Sequence, residues 1–214
     1  VARFGKDLRY DETSHHWYVW DGQRWAQNNR GAVLHRAKTT VIAIYDEAAS
    51  ATDEGSRKTL AQWAARSESQ ARLDAMVYLA ESETGINVKP EEFDTDSWLL
   101  NVSNGTIDLR TGELRAHRRE DMITKMCRVN YDPDATCLEW DRFQWRISGD
   151  NTALIELKQR LFGYSLTAEI SERILPIQHG GGDNGKTTEV EAILEIMGDY
   201  AATAPPETLM LRKD

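Results

Sequence analysis

The chain has 214 residues, of which 40% are hydrophobic and 29% are charged, a profile typical of soluble globular proteins rather than disordered tails. The formal net charge of −9 argues against a general nucleic-acid coat, because phosphate binding needs clustered Lys and Arg. No apolar run approaches the roughly 20 residues that span a bilayer, so we expect no membrane partner. Cys127 and Cys137 match no zinc spacing and predict reduced thiols in the cytoplasm.

The first elements along the chain are a predicted hairpin and then helices. Trp17–Trp20 and Gln23–Trp25 flank Asp21-Gly22, a pair typical of a tight turn with two positive φ angles. Helical periodicity follows from about Ala37 to Ser50 and from Ser56 to Ser82. The apolar stripes of the second stretch are Leu60, Trp63 and Ala64, and then Leu73, Met76, Val77 and Ala80.

A β meander is predicted next, after a possible sub-boundary near residues 85–92. Trp98–Ser103 and Thr106–Leu109 flank Asn104-Gly105, another hairpin signal. Further strands are predicted at Glu113–His117 and at Ile123–Tyr131. Two helices follow, and the residues sharing their faces are Trp140, Phe143 and Ile147, and then Leu154, Leu157, Leu161 and Phe162. Residues 1–170 are therefore expected to form an α+β region.

The strongest motif is Gly180-Gly181-Gly182-Asp183-Asn184-Gly185-Lys186-Thr187-Thr188, which satisfies the phosphate-loop pattern G-x-x-x-x-G-K-[ST] in full. Ile174, Leu175 and Ile177 predict a strand before it. Val190, Ile193, Leu194 and Met197 predict an amphipathic helix after it. Strand, loop and helix together are the arrangement that this motif requires. We therefore expect residues 171–214 to begin an α/β P-loop domain.

Each residue type in the loop suits nucleotide chemistry. Glycines let the backbone approach phosphates closely, and successive N–H groups at a helix N-terminus form an anion nest. Lys186 is expected to bind the β and γ phosphates of ATP, and Thr187 to offer its hydroxyl to Mg²⁺. Asp183 is an unfavourable neighbour for phosphate and is expected to point outward.

Hydrolysis would need more than this loop, namely an acidic residue at the end of a second strand and a cationic finger. Tyr200–Thr203 is a candidate for the next strand, but it carries no acidic residue. The P-loop domain is therefore expected to be truncated here, and the chain alone is not expected to be an active ATPase.

Asn184 directly before Gly-Lys-Thr makes the loop resemble that of superfamily three helicases, found in primase–helicases of phages, plasmids and large DNA viruses. The segments upstream of their helicase core are also similar to this chain. These are Phe93–Val102, Asn104–Gly112, Ile123–Lys125, Tyr131–Pro133, Trp140 with Phe143, and Leu161–Leu166, with the Trp17–Trp25 hairpin near their start.

The resemblance implies an AAA+ helicase that works as a hexamer in DNA replication and unwinds DNA at the expense of ATP. A primase module or other replication proteins would be its partners. Lys186 and Thr187 carry over as phosphate and magnesium ligands, and Gly180, Asn184 and Gly185 as residues that shape the loop. The alternative is a non-enzymatic adaptor or collar that docks the helicase onto DNA, primase or another subunit.

One locally basic stretch is a candidate DNA contact or, alternatively, a solvated face. Its members are Arg110, Arg115, Arg118, Arg119, Lys125 and Arg128. The pairs Asp94/Asp96 and Asp132/Asp134 resemble primase metal carboxylates, but turn chemistry is the favoured interpretation because neither pair lies on an apolar strand. The cluster of Trp17, Trp20 and Trp25 could stack on single-stranded DNA, yet cross-strand packing is favoured.

Overall fold

The computed structural model describes residues 1–28 and 30–209, which fall into two compact units. Unit 1 comprises residues 1–95 and 118–124, and unit 2 comprises residues 96–117 and those from 125 onward. The described ranges contain six α-helices and two small sheets, a mixed α+β fold. None of these six helices is long and apolar enough to cross a membrane. The predicted boundary near residue 170 lies inside unit 2 and stays a prediction, and residues 210–214 of the expected P-loop domain lie outside the described ranges.

Unit 1 contains a four-stranded sheet in the order β3-β2-β1-β4. Its strands are β1 (Leu8–Asp11), β2 (His16–Trp20), β3 (Trp25–Asn28) and β4 (Asn87–Val88). Strand β2 pairs antiparallel with both β1 and β3, whereas β4 runs parallel to β1. The predicted hairpin is confirmed, since β2 pairs with β3 and Trp20 lies opposite Trp25.

The turn of that hairpin differs from the predicted one. It has four residues, because the ladder closes at Trp20 and Trp25, and of Asp21 and Gly22 only the glycine has a positive φ, +104°. The Asp21 carboxylate accepts hydrogen bonds from the backbone N–H groups of Gln23 and Arg24, both at 2.8 Å. Side-chain capping by aspartate therefore replaces the expected two-residue turn.

Three helices complete unit 1: α1 (Gly31–Ser50), α2 (Glu54–Ser67) and α3 (Gln70–Ala80). The first begins earlier than predicted, and the predicted helix from Ser56 to Ser82 is two helices that separate at Glu68 and Ser69. Asp53 caps α2 by accepting a hydrogen bond from the Ser56 N–H at 2.7 Å.

The core of unit 1 is formed by the sheet on one side and by α1 and α3 on the other. Its buried members are Leu8, Tyr10, Trp17, Val19, Val33, Ala37, Val41, Leu73, Val77 and Ile86. The stripe predicted on α3 is confirmed by Leu73 and Val77. The stripe predicted on α2 is only partly right, because Ala64 is fully buried whereas Trp63 is 51% exposed.

Unit 2 contains the predicted meander as an antiparallel sheet of β5 (Leu99–Val102), β6 (Gly105–Asp108) and β7 (Glu113–Arg115). The first turn lies one residue earlier than predicted. Val102 pairs with Gly105, so Ser103 and Asn104 form the turn and the glycine belongs to β6. Gly105 is needed there because a Cβ would overlap the carbonyl oxygen of Arg115 on β7.

The strand predicted at Ile123–Tyr131 is wrong. Residues 123–131 form no strand, and Val102 and Cys127 make only an isolated parallel bridge beside β5. The Asn101 side-chain amide donates to the Lys125 carbonyl at 3.1 Å. This backbone carbonyl would accept from a neighbouring strand if residues 123–131 were part of a sheet.

The helices of unit 2 are α4 (Leu138–Ile147), α5 (Thr152–Ser165) and α6 (Lys186–Met197). The strand predicted at Ile174–Ile177 is absent from the described structure, where these residues are exposed and make no ladder. A parallel strand forms only against a neighbour, and no described segment pairs with this one. Tyr200–Thr203 is likewise not a strand, because a 3-10 turn, Gly198–Tyr200, follows α6. The predicted α5 face is only partly buried, and Leu157 is 51% exposed.

Candidate phosphate-binding site

The glycine-rich loop ends where α6 begins. Gly185 is the residue before the helix and has φ +80°, a left-handed conformation that glycine adopts without strain. Gly180, at the start of the loop, has φ +152°, and a Cβ there would lie 2.6 Å from the Asn184 side-chain nitrogen. The backbone at both positions therefore needs glycine, which is what close approach to a phosphate requires.

Lys186 lies over this loop. Its Nζ is 2.6 Å from Asn184 Oδ1, 3.2 Å from the Gly181 carbonyl oxygen and 3.4 Å from the Gly180 carbonyl oxygen. The ammonium thus donates to three neutral oxygens, none of which cancels its charge. A phosphate oxygen could replace these acceptors with a charge-assisted bond.

The first turn of α6 provides further donors. The initial N–H groups of a helix, here those of Lys186, Thr187 and Thr188, have no partner within the helix. They carry the positive end of the helix dipole. Thr187 and Thr188 are exposed, so their hydroxyls can reach a ligand.

Two cavities adjoin the loop, and Ile147 and Asn184 line both of them. The α4-side cavity has a volume of about 650 Å³ and is lined by Phe143, Arg146, Ile147, Asp183, Asn184, Gly185 and Thr188. The α5-side cavity has a volume of about 350 Å³ and is lined by Ile147, Leu154, Lys158, Ile177, Gln178, His179, Asn184, Lys186 and Glu189. Asp183 is exposed and lines the α4-side cavity, whereas Lys186 lines the α5-side cavity.

A buried carboxylate supports the loop from the helix side. Glu189 is 1% exposed, with its Oε1 3.0 Å from Lys158 Nζ on α5 and its Oε2 accepting from Gln178 Nε2 at 2.8 Å. Lys158 Nζ is also 3.5 Å from Gln144 Oε1 on α4. One carboxylate therefore joins α5, α6 and the segment before the loop.

Sequence reasoning missed Glu189 and Lys158. The available signal was that Glu189 precedes Val190 and lies one turn before Ile193, so it falls at the edge of the predicted apolar stripe of α6. A glutamate at such a position needs a partner, but the sequence does not say that Lys158 provides it.

The candidate DNA contacts are divided between the two units. Arg118 and Arg119 belong to unit 1, and the other four to unit 2. Carboxylates lie near Arg110, Arg119 and Arg128, namely Asp96 at 2.7 Å, Asp7 at 2.5 Å and Asp199 at 3.6 Å. The Arg110 guanidinium, by donating to Asp96, lowers the pKa of that carboxyl.

The paired aspartates have structural roles, as favoured from the sequence. Asp94 accepts from the Thr124 N–H at 2.8 Å, and Asp132 accepts from the Asp134 N–H at 3.0 Å. No group of three or more His, Cys, Asp or Glu able to hold a metal occurs in the part of the chain that the structure describes.

The tryptophan cluster is also structural. Trp25 is fully buried, and its Nε1 donates to the Arg119 carbonyl at 2.8 Å. Trp17 is 3% exposed. Trp20 and Trp25 pair across the hairpin with ring centroids 5.9 Å apart. The burial of Trp17 and Trp25 leaves little of their aromatic surface for stacking on bases.

These features define a mixed α+β protein with a lysine-bearing, glycine-rich loop at a helix N-terminus. The family model described as "D5 N terminal like" matches residues 1–149, more than half of the chain. The chain therefore belongs to this family, the N-terminal domain of D5-like primase–helicase proteins. The family points to viral primase–helicases and to DNA replication. The match includes α4 but not the loop, and a search of curated proteins found no match.

Proposed function

We propose that Gly180–Thr188 binds the phosphates of ATP together with Mg²⁺. The observation that carries the proposal is the position of Lys186, whose Nζ lies over the loop on three neutral oxygens next to the first turn of α6. The fit is supported by the glycines, because Gly180 at φ +152° and Gly185 at φ +80° adopt backbone conformations that residues with a Cβ rarely adopt. Lysine, free N–H groups and a hydroxyl are the donor set that a magnesium triphosphate takes.

Each residue has its own part in this proposal. Lys186 binds the β and γ phosphates, Thr187 offers its hydroxyl to Mg²⁺, and Asn184 holds the amine of Lys186 until phosphate replaces it. The backbone N–H groups of the first turn orient the phosphates. Bound Mg²⁺ would neutralise phosphate charge.

We propose that the complete protein is a replicative primase–helicase that uses this site for DNA unwinding. Support comes from the family of residues 1–149 and from the helicase-like loop that follows it. Assembly as a hexamer of AAA+ type, with a primase module as partner, is part of the same proposal.

For the present chain we propose nucleotide binding without steady turnover. Among the carboxylates of the described residues, Glu189 lines the α5-side cavity, but its two oxygens face Lys158 and Gln178. A carboxylate engaged in this way does not orient an attacking water. The direct test compares binding of Mg²⁺–ATP to the chain and to Lys186→Ala. Absence of binding to both would instead favour the non-enzymatic adaptor.

We propose in addition that Arg110, Arg115, Arg118, Arg119, Lys125 and Arg128 contribute to DNA contact. Arg118, Lys125 and Arg128 are exposed, and Arg128 has a 76% exposed side chain. Binding to single-stranded DNA should weaken between about 50 mM and about 200 mM salt, because released counterions drive it. Arg128→Ala should make DNA affinity less dependent on salt concentration. Lys38→Ala, which removes an exposed lysine of α1, should leave the salt dependence unchanged. An affinity for single-stranded DNA that does not change with salt concentration would exclude a DNA contact by these basic residues.

A further inference from the structure

We propose that the α4-side cavity holds the nucleoside part of the bound triphosphate, with the base stacked on Phe143. This inference rests on the proposed function, because it concerns the rest of the same ligand. It assigns to α4, a helix inside the family-matched region, a direct part in nucleotide binding.

The first argument is contact between α4 and the loop. A Cβ built on Gly185 would lie 2.6 Å from Ile147 Cγ2 and 3.1 Å from Phe143 Cε2. The residue directly before Lys186 is therefore packed against the face of α4. A ligand held by the first turn of α6 lies beside that face.

The second argument is the difference in charge between the two cavities. The α5-side cavity is lined by Lys186 beside the Lys158–Glu189 ion pair, whereas the α4-side cavity is lined by one carboxylate, Asp183, and one guanidinium, Arg146. A carboxylate repels phosphate but accepts hydrogen bonds from ribose hydroxyls, a role that acidic residues have in dinucleotide-binding folds. The phosphates therefore belong beside Lys186 and the sugar beside Asp183.

The third argument is the chemistry of the α4 wall. Phe143 is half-buried and pairs with Trp140, with ring centroids 5.6 Å apart. The Arg146 guanidinium carbon is 5.9 Å from the Phe143 ring centroid. Aromatic rings and guanidinium planes are the surfaces on which bases stack. The volume of about 650 Å³ lies within the range of small-molecule sites.

The experiment compares Mg²⁺–ATP with inorganic tripolyphosphate, which has the phosphates but no nucleoside. Both are titrated into the full chain, Phe143→Leu and Phe143→Tyr. Leucine keeps apolar packing against Gly185 but removes the aromatic face, whereas tyrosine keeps that face. We expect Phe143→Leu to weaken ATP binding by about tenfold, the usual size of a lost base stack, with tripolyphosphate binding unchanged. Phe143→Tyr should bind ATP as the parent chain does.

The matched control is Trp145→Leu, on the same helix but 44% exposed and outside the set that lines the α4-side cavity. It should bind both ligands as the parent chain does. Equal losses for ATP and tripolyphosphate in Phe143→Leu would overturn the inference, because Phe143 would then only support the loop. No loss for either ligand would overturn it as well, while leaving the phosphate site intact. If the parent chain binds neither ligand, the proposed function fails and this inference fails with it.

Discussion

Lys158 on α5 and Glu189 on α6 form a buried ion pair, with Nζ and Oε1 3.0 Å apart and side chains 14% and 1% exposed. The pair lines the same cavity as Lys186. Removing charges from water is costly, so a pair at this depth depends on both partners being present. Gln178 completes the arrangement by donating to the other Glu189 oxygen.

Glu189→Ala should lower the free energy of unfolding of unit 2 by about 3 kcal/mol, because Lys158 is then buried without its partner. Urea unfolding, followed by the accessibility of the Cys127 thiol, measures this unit. The double variant Lys158→Met/Glu189→Leu should be more stable than Glu189→Ala, since no charge remains unpaired. The single variants Lys158→Met and Glu189→Leu complete the cycle, and losses of stability that simply add in the double variant would show that the two side chains do not interact.

Asn101 is a second buried polar centre. It is fully buried, donates to the Lys125 carbonyl at 3.1 Å and accepts from Thr106 Oγ1 at 3.2 Å, and its Oδ1 is 2.8 Å from His117 Nδ1. Asn101→Leu should cost about 3 kcal/mol of stability, because several buried groups lose their partner at once. Asn104→Ala, in the exposed turn, is the control and should cost less. Equal costs in thermal unfolding would argue against the buried network.

Gly105→Ala should disrupt the β6–β7 pairing and cost about 3 kcal/mol, since the new methyl group overlaps the Arg115 carbonyl oxygen. Gly163→Ala provides the contrast. Gly163 lies within α5, and nothing is within 4 Å of an added Cβ. That substitution should stabilise the chain by about 0.5–1 kcal/mol. Chemical denaturation of both variants checks the prediction, and a Gly105→Ala variant as stable as the parent chain would contradict the close approach of β7 to Gly105.

Cys127 should resist thiol reagents that modify Cys137. Burial, with a smaller effect of the Asp199 carboxylate, raises the pKa of the Cys127 thiol to about 11, whereas Cys137 is exposed. The reactive species is the thiolate, so at about pH 8 only Cys137 should be labelled in the folded chain. Mass spectrometry of digested, alkylated protein measures this. Rapid labelling of Cys127 without denaturant would contradict the packing of unit 2.

The same shift in pKa predicts a pH dependence of stability. An unfolded thiol ionises near about pH 8.5, well below the pKa of the folded one. The contribution of Cys127 to stability is therefore complete below about pH 8.5 and is lost as pH rises toward 11. The free energy of unfolding of the Cys127→Ala variant should therefore decline less between about pH 8.5 and pH 10 than that of the parent chain.

The sequence predicted the elements whose signals are local. The hairpin at Trp17–Trp25, the meander around Gly105 and the stripe of Leu73 and Val77 follow from alternation and periodicity. The exact turn residues were harder to predict. In the first hairpin the Asp21 side chain caps the turn, and in the meander the close approach of β7 requires glycine at position 105 within β6.

Strands at Ile123–Tyr131 and Ile174–Ile177 were predicted wrongly for a related reason. An apolar run becomes a strand only when a neighbour completes its ladder, and the sequence does not show neighbours. The loop residues were recognisable as a motif, whereas the Lys158–Glu189 pair and the packing of Phe143 on Gly185 join segments far apart in sequence.

The central claim is that Lys186 binds triphosphate, and calorimetric titration of Mg²⁺–ATP into the full chain tests it most directly. The control is Lys38→Ala, which removes an exposed lysine of α1. We expect the parent chain and Lys38→Ala to bind ATP with the same affinity and Lys186→Ala to lose binding by at least about tenfold, the usual minimum for a lost charge-assisted contact. Equal binding by Lys186→Ala and the parent chain, or no binding by the parent chain, would contradict the account.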